Sequence, residues 1–475
     1  MRLRWLIFIQ ERRRLPDIRK GMVIEMIKIV DQSTMKYIVD FCNNEEVSFS
    51  PLGMQVGYGS RIESGIQMKE LLAKTVKELR KHKVLSAGIN ISELLSLAGA
   101  DSIRDIVEGI VLGNYQQRRF IESESEECTF ELFGYQEEDK EQVSELFRES
   151  LVLMEGVVFT RDMVNLPGNK LRPMDFANEI IRLIKDVPIE YELYTYDQLK
   201  KMGMGGLTGV GGSSEYPPCF LVLKYLPLKE CQEILGLVGK GVTYDTGGYC
   251  LKPANSLKAM KGDMAGGAAV AGAMYALAKN RVDKNVMGFI PMCENRISQG
   301  SLLPGDVITS YSKKTIEVVN TDAEGRLILA DALTYAVENE HVSKVLDIAT
   351  LTGSVVSMLG FSVAGVMSDD QEFYDEFSRA YISSGEQYLR LPFYPEHEKM
   401  IKSTIADIKN LGDKVCGTIT AGLFIRFFAQ EKPWLHMDIA GTAWVDKPVY
   451  EFQTVGATGA GVTTIYNLCY KKGMV

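Results

Sequence analysis

The run Ile234-Leu235-Gly236-Leu237-Val238 is continuously apolar and ends in Gly239-Lys240-Gly241. An apolar run of this length, closed by glycines, reads as a buried strand that runs out into a loop. In an open α/β sheet, ligands bind where such strands end. The residues after Val238 are therefore the place to look for chemistry. Asp245 comes next, then Thr246-Gly247-Gly248, whose glycines let the backbone approach whatever Asp245 holds. Asp263 opens a helical run from Met264 to Lys279, rich in Ala and Gly and so suited to close packing. Asp263 has two readings, an N-cap of that helix or a ligand. Lys240 and Lys252 have an ordinary reading as ion-pair partners of these acids. In Gly- and Pro-rich loops beside a dication, a lysine can instead lose its proton and become a ligand. A lysine that stays charged can polarise a carbonyl oxygen.

A second cluster reads Asn320-Thr321-Asp322-Ala323-Glu324-Gly325-Arg326-Leu327. Thr315 to Val319 before it alternates and is β-branched, which predicts a strand, and Leu327 to Glu340 after it keeps helical periodicity. In extended backbone, the two-residue spacing of Asp322 and Glu324 turns both carboxylates to one side. Arg326 and a helix N-terminus beside them favour a bound oxyanion. Asp245, Asp263, Asp322 and Glu324 converging on one point would repel one another and need cations. Two divalent ions about 3.5–4 Å apart, bridged by shared carboxylates, would neutralise them and activate a water. Oxygen-rich ligation admits Mg, Mn or Zn without choosing among them.

These motifs resemble the leucyl aminopeptidase family, the dinuclear cytosol aminopeptidases. The eight-residue signature at 320–327 is intact. The likeness extends over Asp105 to Phe120, Gly156 to Ala177 and most of the chain from there to Thr464, and is weak at the N-terminus. The resemblance implies that Asp245 and Glu324 bridge two metals, that Asp322 completes the looser first site, and that Lys240 and Asp263 complete the tighter second one. It implies that Lys252 holds the scissile carbonyl and its oxyanion. Arg326 would hold a bicarbonate that accepts a proton from the metal-bound water. The peptide's free amino group would meet the second metal and Asp263, so that one N-terminal residue is released at a time, Leu and other apolar residues foremost. Met260, Thr350 and Gly353 match positions lining the pocket for the first side chain. The resemblance further implies a homohexamer in the cytoplasm. Tyr249-Cys250 and Gly262 depart from the family's usual residues and leave pocket shape open.

A chain of 475 residues, 46% hydrophobic and 24% charged, is longer than one typical core and suits two domains. The expected class is α/β. Residues 1–150 would form an N-terminal domain, macro-like by the resemblance. Residues 151–475 would form a catalytic α/β/α domain with a mixed, mostly parallel sheet and helices on both faces. In the first part, helices are expected over Met68 to Lys81 and Ile103 to Tyr115, a strand over Lys83 to Ile89, and a solvated loop over Glu122 to Glu127. A long helix from Glu141 to Asn165, broken by Leu166-Pro167-Gly168, contains the boundary. Further strands are expected at Val187–Tyr194, Cys219–Tyr225, Val286–Met292, Lys344–Ala349 and Trp434–Ile439. His436 and Asp438, two residues apart on the last of these, are read as structural. The glycine-rich stretch 203–212 fits neither GxGxxG nor Walker A spacing.

The net charge of −9 argues against a nucleic-acid coat, although a local basic patch, and with it DNA binding, stays open without support. The eight cysteines are scattered with no CxxC, which suits reduced thiols in a cytosolic protein, and Cys250 is read as packing. Residues 1–21 carry seven basic side chains around an apolar Trp5 to Ile9, too short for a signal-peptide core or a membrane span. A first strand, an upstream start with Met22 or Met26 as the true beginning, and a nucleic-acid arm are the readings open for them. GxSxG and HExxH are both missing, and only four histidines occur, which disfavours serine hydrolase and zincin chemistry. A two-metal phosphoesterase and a non-catalytic DNA-binding hexamer are the competing readings.

Overall fold

The structure, a computed structural model, describes residues 25–44, 46–59, 62–117, 120 and 128–470. The expectations for residues 1–21 and for Glu122–Glu127 fall outside them. A first sheet collects β1 (Ile27–Ile29), β2 (Ile38–Cys42), β3 (Val47–Ser50), β4 (Gly53–Gly57), β5 (Ser86–Asn90) and β6 (Thr129–Phe133) in the order β1-β6-β5-β2-β4-β3. Its pairings are parallel except at the β3 edge. Helix α1 (Gly65–Lys81) starts where the Ser64 side chain accepts a hydrogen bond from the Gln67 amide. It buries Met68, Leu72, Val76 and Leu79, one face at helical spacing. Helix α2 (Ile103–Asn114) buries Ile103, Ile106, Val107 and Ile110 in the same core.

Helix α3 (Lys140–Asn165) then runs for 26 residues and is buried from Leu153 to its end. It stops at Leu166, whose backbone is extended ahead of Pro167, as the residue before a proline should be. Helix α4 (Gly205–Gly211) occupies the glycine-rich stretch. Helix α5 (Ala265–Lys279) confirms the close packing expected of its composition. A Cβ on Gly272 would lie 2.5 Å from the Gly156 carbonyl oxygen of α3, and Thr160 Oγ1 reaches the Ala268 carbonyl at 3.0 Å.

The second sheet contains nine strands and is mixed. Its members are β7 (Glu190–Tyr194), β8 (Cys219–Tyr225), β9 (Leu235–Gly239), β10 (Gly241–Asp245), β11 (Val286–Asn295), β14 (Lys344–Ala349), β15 (Ala364–Ser368), β16 (Tyr388–Arg390) and β18 (Trp434–Asp438). The order is β16-β15-β18-β14-β9-β11-β8-β7, with β10 against β11. A small separate sheet joins β12 (Val307–Thr309), β13 (Thr315–Glu317) and β17 (Ile408–Lys409). Helix α6 (Gly325–Glu338) follows β13 and is buried almost throughout.

The glycines after Val238 do not open a loop, contrary to their local signal. Leu235 to Val238 pairs with Val286 to Phe289, and Gly241 to Asp245 resumes alongside Met292 to Asn295 of the same strand. The pairing with β11 lapses at Gly239 and Lys240, and its register shifts once more between Val242 and Tyr244. Pairing with the long, fully buried β11 overrides the glycines. Among the described residues, no helix is long and apolar enough to cross a membrane.

Candidate metal centre

Strands β9, β10 and β14 deliver their C-terminal ends to one buried point. Lys240, in the break between β9 and β10, is 2% exposed. Its Nζ lies 2.8 Å from Asp263 Oδ1 and 2.9 Å from Glu324 Oε1, and donates to the Thr350 carbonyl at 3.0 Å. Thr350 follows β14, and its hydroxyl donates to Asp263 Oδ1 at 2.8 Å. Asp245 closes β10. Its Oδ1 accepts from the Gly247 amide and from Asn295 Nδ2, both at 2.8 Å. Its Oδ2 lies 2.8 Å from Lys252 Nζ, which also reaches Asp322 Oδ1 at 2.6 Å. Asp245, Asp322 and Glu324 each offer one oxygen, and the three oxygens lie within 4.8 Å of one another.

The four acids and two lysines expected to meet therefore do so. Arg326, on the first turn of α6, is buried and donates from Nη1 to the Asn410 carbonyl at 2.8 Å. Met260 lies on a short turn just before Asp263, and Gly353 opens the helix Gly353–Leu359 just after Thr350. Both adjoin the cluster through the chain, and only Thr350 is bonded to its side chains.

Two local readings are corrected by the geometry. Asp263 does not cap the following helix. Met264 holds that position without a side-chain bond, and the Asp263 carboxylate is turned to Lys240 and Thr350 instead. Asp322 and Glu324 do not share a face of extended chain. Thr321 and Asp322 form a turn, and Glu324 already has helical dihedrals, φ −76° and ψ −37°. A tight turn into a helix brings the two together, and strand alternation plays no part.

The charges are mutually dependent. Burial and the neighbouring Glu324 push the Asp245 carboxyl up to about 7. Burial raises Asp263 and Asp322 as well. Burial also opposes ionisation of Glu324, but the charges of Lys240 and Lys252 together outweigh it and hold this carboxyl below its usual range. Burial disfavours the charged form of Lys240, yet Asp263, Glu324 and Asp245 more than compensate, so the ammonium is held protonated. A dication taking up those same carboxylates would reverse that balance. Burial brings the Arg326 guanidinium down to about 10.

Asp263 Oδ2 and Glu324 Oε2 are buried and accept no hydrogen bond. Buried carboxylate oxygens that no protein group meets are costly unless a cation meets them. Hard oxygen donors in this number suit Mg, Mn or Zn. The residues present fit a divalent-metal centre.

Several contributors escape the sequence reading. Asn295 ties Asp245 to the Thr321 carbonyl (3.0 Å), and the Thr321 hydroxyl donates to the Gly247 carbonyl at 2.7 Å. The expected strand at Val286–Met292 ends three residues short of Asn295. The structural reading of His436 and Asp438 fits what is seen. His436 Nδ1 meets Asp347 at 2.5 Å, and Asp438 accepts from Thr352 Oγ1 at 2.6 Å, bracing the loop that carries Thr350. Cys250 donates its amide to Thr321 Oγ1 at 2.8 Å, a structural bond.

A buried nest of acids and lysines at the strand ends of an α/β sheet defines the centre of a metal-dependent hydrolase. Residues 158–466 match the cytosol aminopeptidase family, catalytic domain. A probable cytosol aminopeptidase of Clostridium perfringens (strain 13 / Type A) is 36% identical over 473 residues, covering 98% of this chain and 96% of that protein. One of Bacillus subtilis (strain 168) is 37% identical over 430 residues, covering 89% and 84%. The solved structure of the bottromycin maturation enzyme BotP in complex with Mn superposes with a TM-score of 0.83 at 29% identity, covering 92% of this chain and 99% of that one. The chain belongs to the cytosol aminopeptidase family and is a metal-dependent aminopeptidase acting on peptides.

Proposed function

We propose that this aminopeptidase releases one N-terminal residue at a time, Leu and other apolar residues foremost, at a centre of two divalent ions. The observation that carries the reading is the set of four converging carboxylates, two of them with a buried oxygen that no protein group meets. Asp245 and Glu324 would be shared between the ions, Asp322 would complete one site, and Lys240 with Asp263 the other. When bound, two such ions supply a water of lowered pKa and positive charge opposite the developing oxyanion. Manganese or zinc are the leading candidates, magnesium the third.

The chain's own groups then have distinct tasks. Asp263 holds the substrate's free amino group, which restricts cleavage to the first peptide bond. Lys252 pairs with Asp245 and Asp322 through one ammonium. Once cations satisfy those acids, that ammonium is free to donate to the scissile carbonyl and to stabilise its oxyanion. Arg326 keeps a buried Nε without a partner, which suits a small oxyanion such as bicarbonate, the proton acceptor. Met260, Thr350 and Gly353 line the pocket for the first side chain. In this reading the chain divides within α3 into residues 1–150 and 151–475. The macro-like first part shapes access and assembly, six copies form the working particle, and the particle works in the cytoplasm.

The test is a panel of aminoacyl anilides assayed with Mn, Zn and Mg after chelation. Leucyl and methionyl anilides should be cleaved, and N-acetylated ones should not. Cleavage of blocked substrates, or preference for charged first residues, would overturn the reading.

A further inference from the structure

Asn410 follows β17 and is fully buried. Its amide donates to the Glu317 carbonyl at 2.9 Å, extending the small sheet by one bond. Its side chain then grips the segment that carries Asp322 and Glu324. Oδ1 accepts from the Val319 amide at 2.8 Å and from the Asn320 amide at 3.3 Å. Nδ2 donates to the Asn320 carbonyl at 2.7 Å and to the Ala323 carbonyl at 3.2 Å. The carbonyl of Asn410 itself accepts from Arg326 Nη1 at 2.8 Å.

The chemistry of this arrangement is specific. Residues 319–323 are neither helix nor paired strand, so their amides and carbonyls find no partners in a regular ladder and need them from elsewhere. A carboxamide has two acceptor sites and two donor hydrogens, and all four are used here. Aspartate at this position would keep the acceptors but turn a negative oxygen toward two carbonyls. The four bonds flank Asp322 on both sides and end at the peptide immediately before Glu324. The same residue's backbone orients Arg326. One side chain thus fixes the turn whose shape sets the separation of the two carboxylates.

We infer that Asn410 is a positioning residue for the metal centre, setting cation affinity through Asp322 and Glu324 without touching the ion. The inference rests on the reading that Asp322 and Glu324 hold the metals. Asn285 provides a matched control. It is a second buried carboxamide clamp, accepting from the Leu228 amide at 3.0 Å and donating to the Leu228 and Cys231 carbonyls at 2.9 and 2.8 Å, on a loop that carries no site residue.

The experiment measures Mn2+ affinity by titration calorimetry, with Tm alongside, for the full chain and for Asn410→Ala, Asn410→Asp, Asn285→Ala and Glu324→Ala. Both Asn410 variants should bind Mn2+ roughly 10–100-fold more weakly, while Asn285→Ala lowers Tm and leaves affinity within about twofold. The inference is overturned if Asn410→Ala binds Mn2+ as the parent does, or if Asn285→Ala weakens it equally. Should Asn410→Ala not fold, Asn410→Asp, which keeps two of the four bonds, decides by the same readout. Glu324→Ala separates the two levels. If it binds Mn2+ undiminished, the ligand assignment falls. If it loses binding while the Asn410 variants keep theirs, only the positioning role falls.

Discussion

Gly325→Ala exchanges a glycine for the best helix former at the first position of α6 and ought, by backbone propensity alone, to stabilise the protein by about 0.5–1 kcal/mol. The structure gives the opposite sign. A Cβ there would sit 2.7 Å from Lys240 Nζ and closer still to its Cε. Reaching ordinary contact, from 3.4 Å outward, requires Nζ to retreat by about 0.7 Å and Cε by about 1 Å. The ammonium is held by Asp263, Glu324 and the Thr350 carbonyl at 2.8, 2.9 and 3.0 Å, and such a shift breaks at least one of these bonds. A buried hydrogen bond to a charged group contributes about 1.5–3 kcal/mol, so the net loss is about 1–2 kcal/mol. The same amount lost from the transition state lowers kcat/KM by about 5–30-fold. Thermal unfolding and leucyl anilide hydrolysis read the two effects. For thermal unfolding alone, Gly353→Ala is the control, because Gly353 also opens a helix and a Cβ there meets nothing within 4 Å. A Gly325→Ala protein with raised Tm and unchanged kcat/KM would refute the packing argument.

Lys252→Ala should lower kcat by about 100–1000-fold with metal content intact, measured by elemental analysis beside the assay. Emptying of a metal site instead would mean that the tasks of the two lysines are exchanged. Lys240→Ala should weaken Mn2+ binding, and unchanged affinity would count against ligation by this amine. Asp245, with its carboxyl near 7 in the fold, must release a proton to receive a cation. Mn2+ affinity should therefore fall as pH drops below about 7 and gain nothing more from this group above it. Calorimetry at pH 6 in two buffers of different ionisation heat should detect the released proton, and equal heats would refute it. The same raised value means that, with no cation bound, stability declines as pH rises from about 4, where an unfolded aspartate titrates, to about 7.

The parts of the centre legible in the sequence are those governed by local pattern. The apolar run before Lys240 is a buried strand, and the acids do converge with the two lysines. The rest depends on partners far along the chain. Whether Asp263 caps its helix or faces Lys240 is decided by a lysine 23 residues away. Gly239 and Gly241 look like a loop until β11, 50 residues on, is laid beside them. Asn410 is an ordinary polar residue in sequence, and its role exists only because β17 pairs with β13 and brings it to residues 319–323. Asp322 and Glu324 meet, but not for the reason strand alternation suggests, since a two-residue spacing serves a turn into a helix as well as a strand.

The most direct measurement is a back-titration of the chelated protein with Mn2+, following bound metal and leucyl anilide turnover together. A two-ion centre predicts no turnover after chelation and full recovery as two ions bind per chain. Turnover that persists in the stripped protein, or that is complete before a second ion binds, would contradict it.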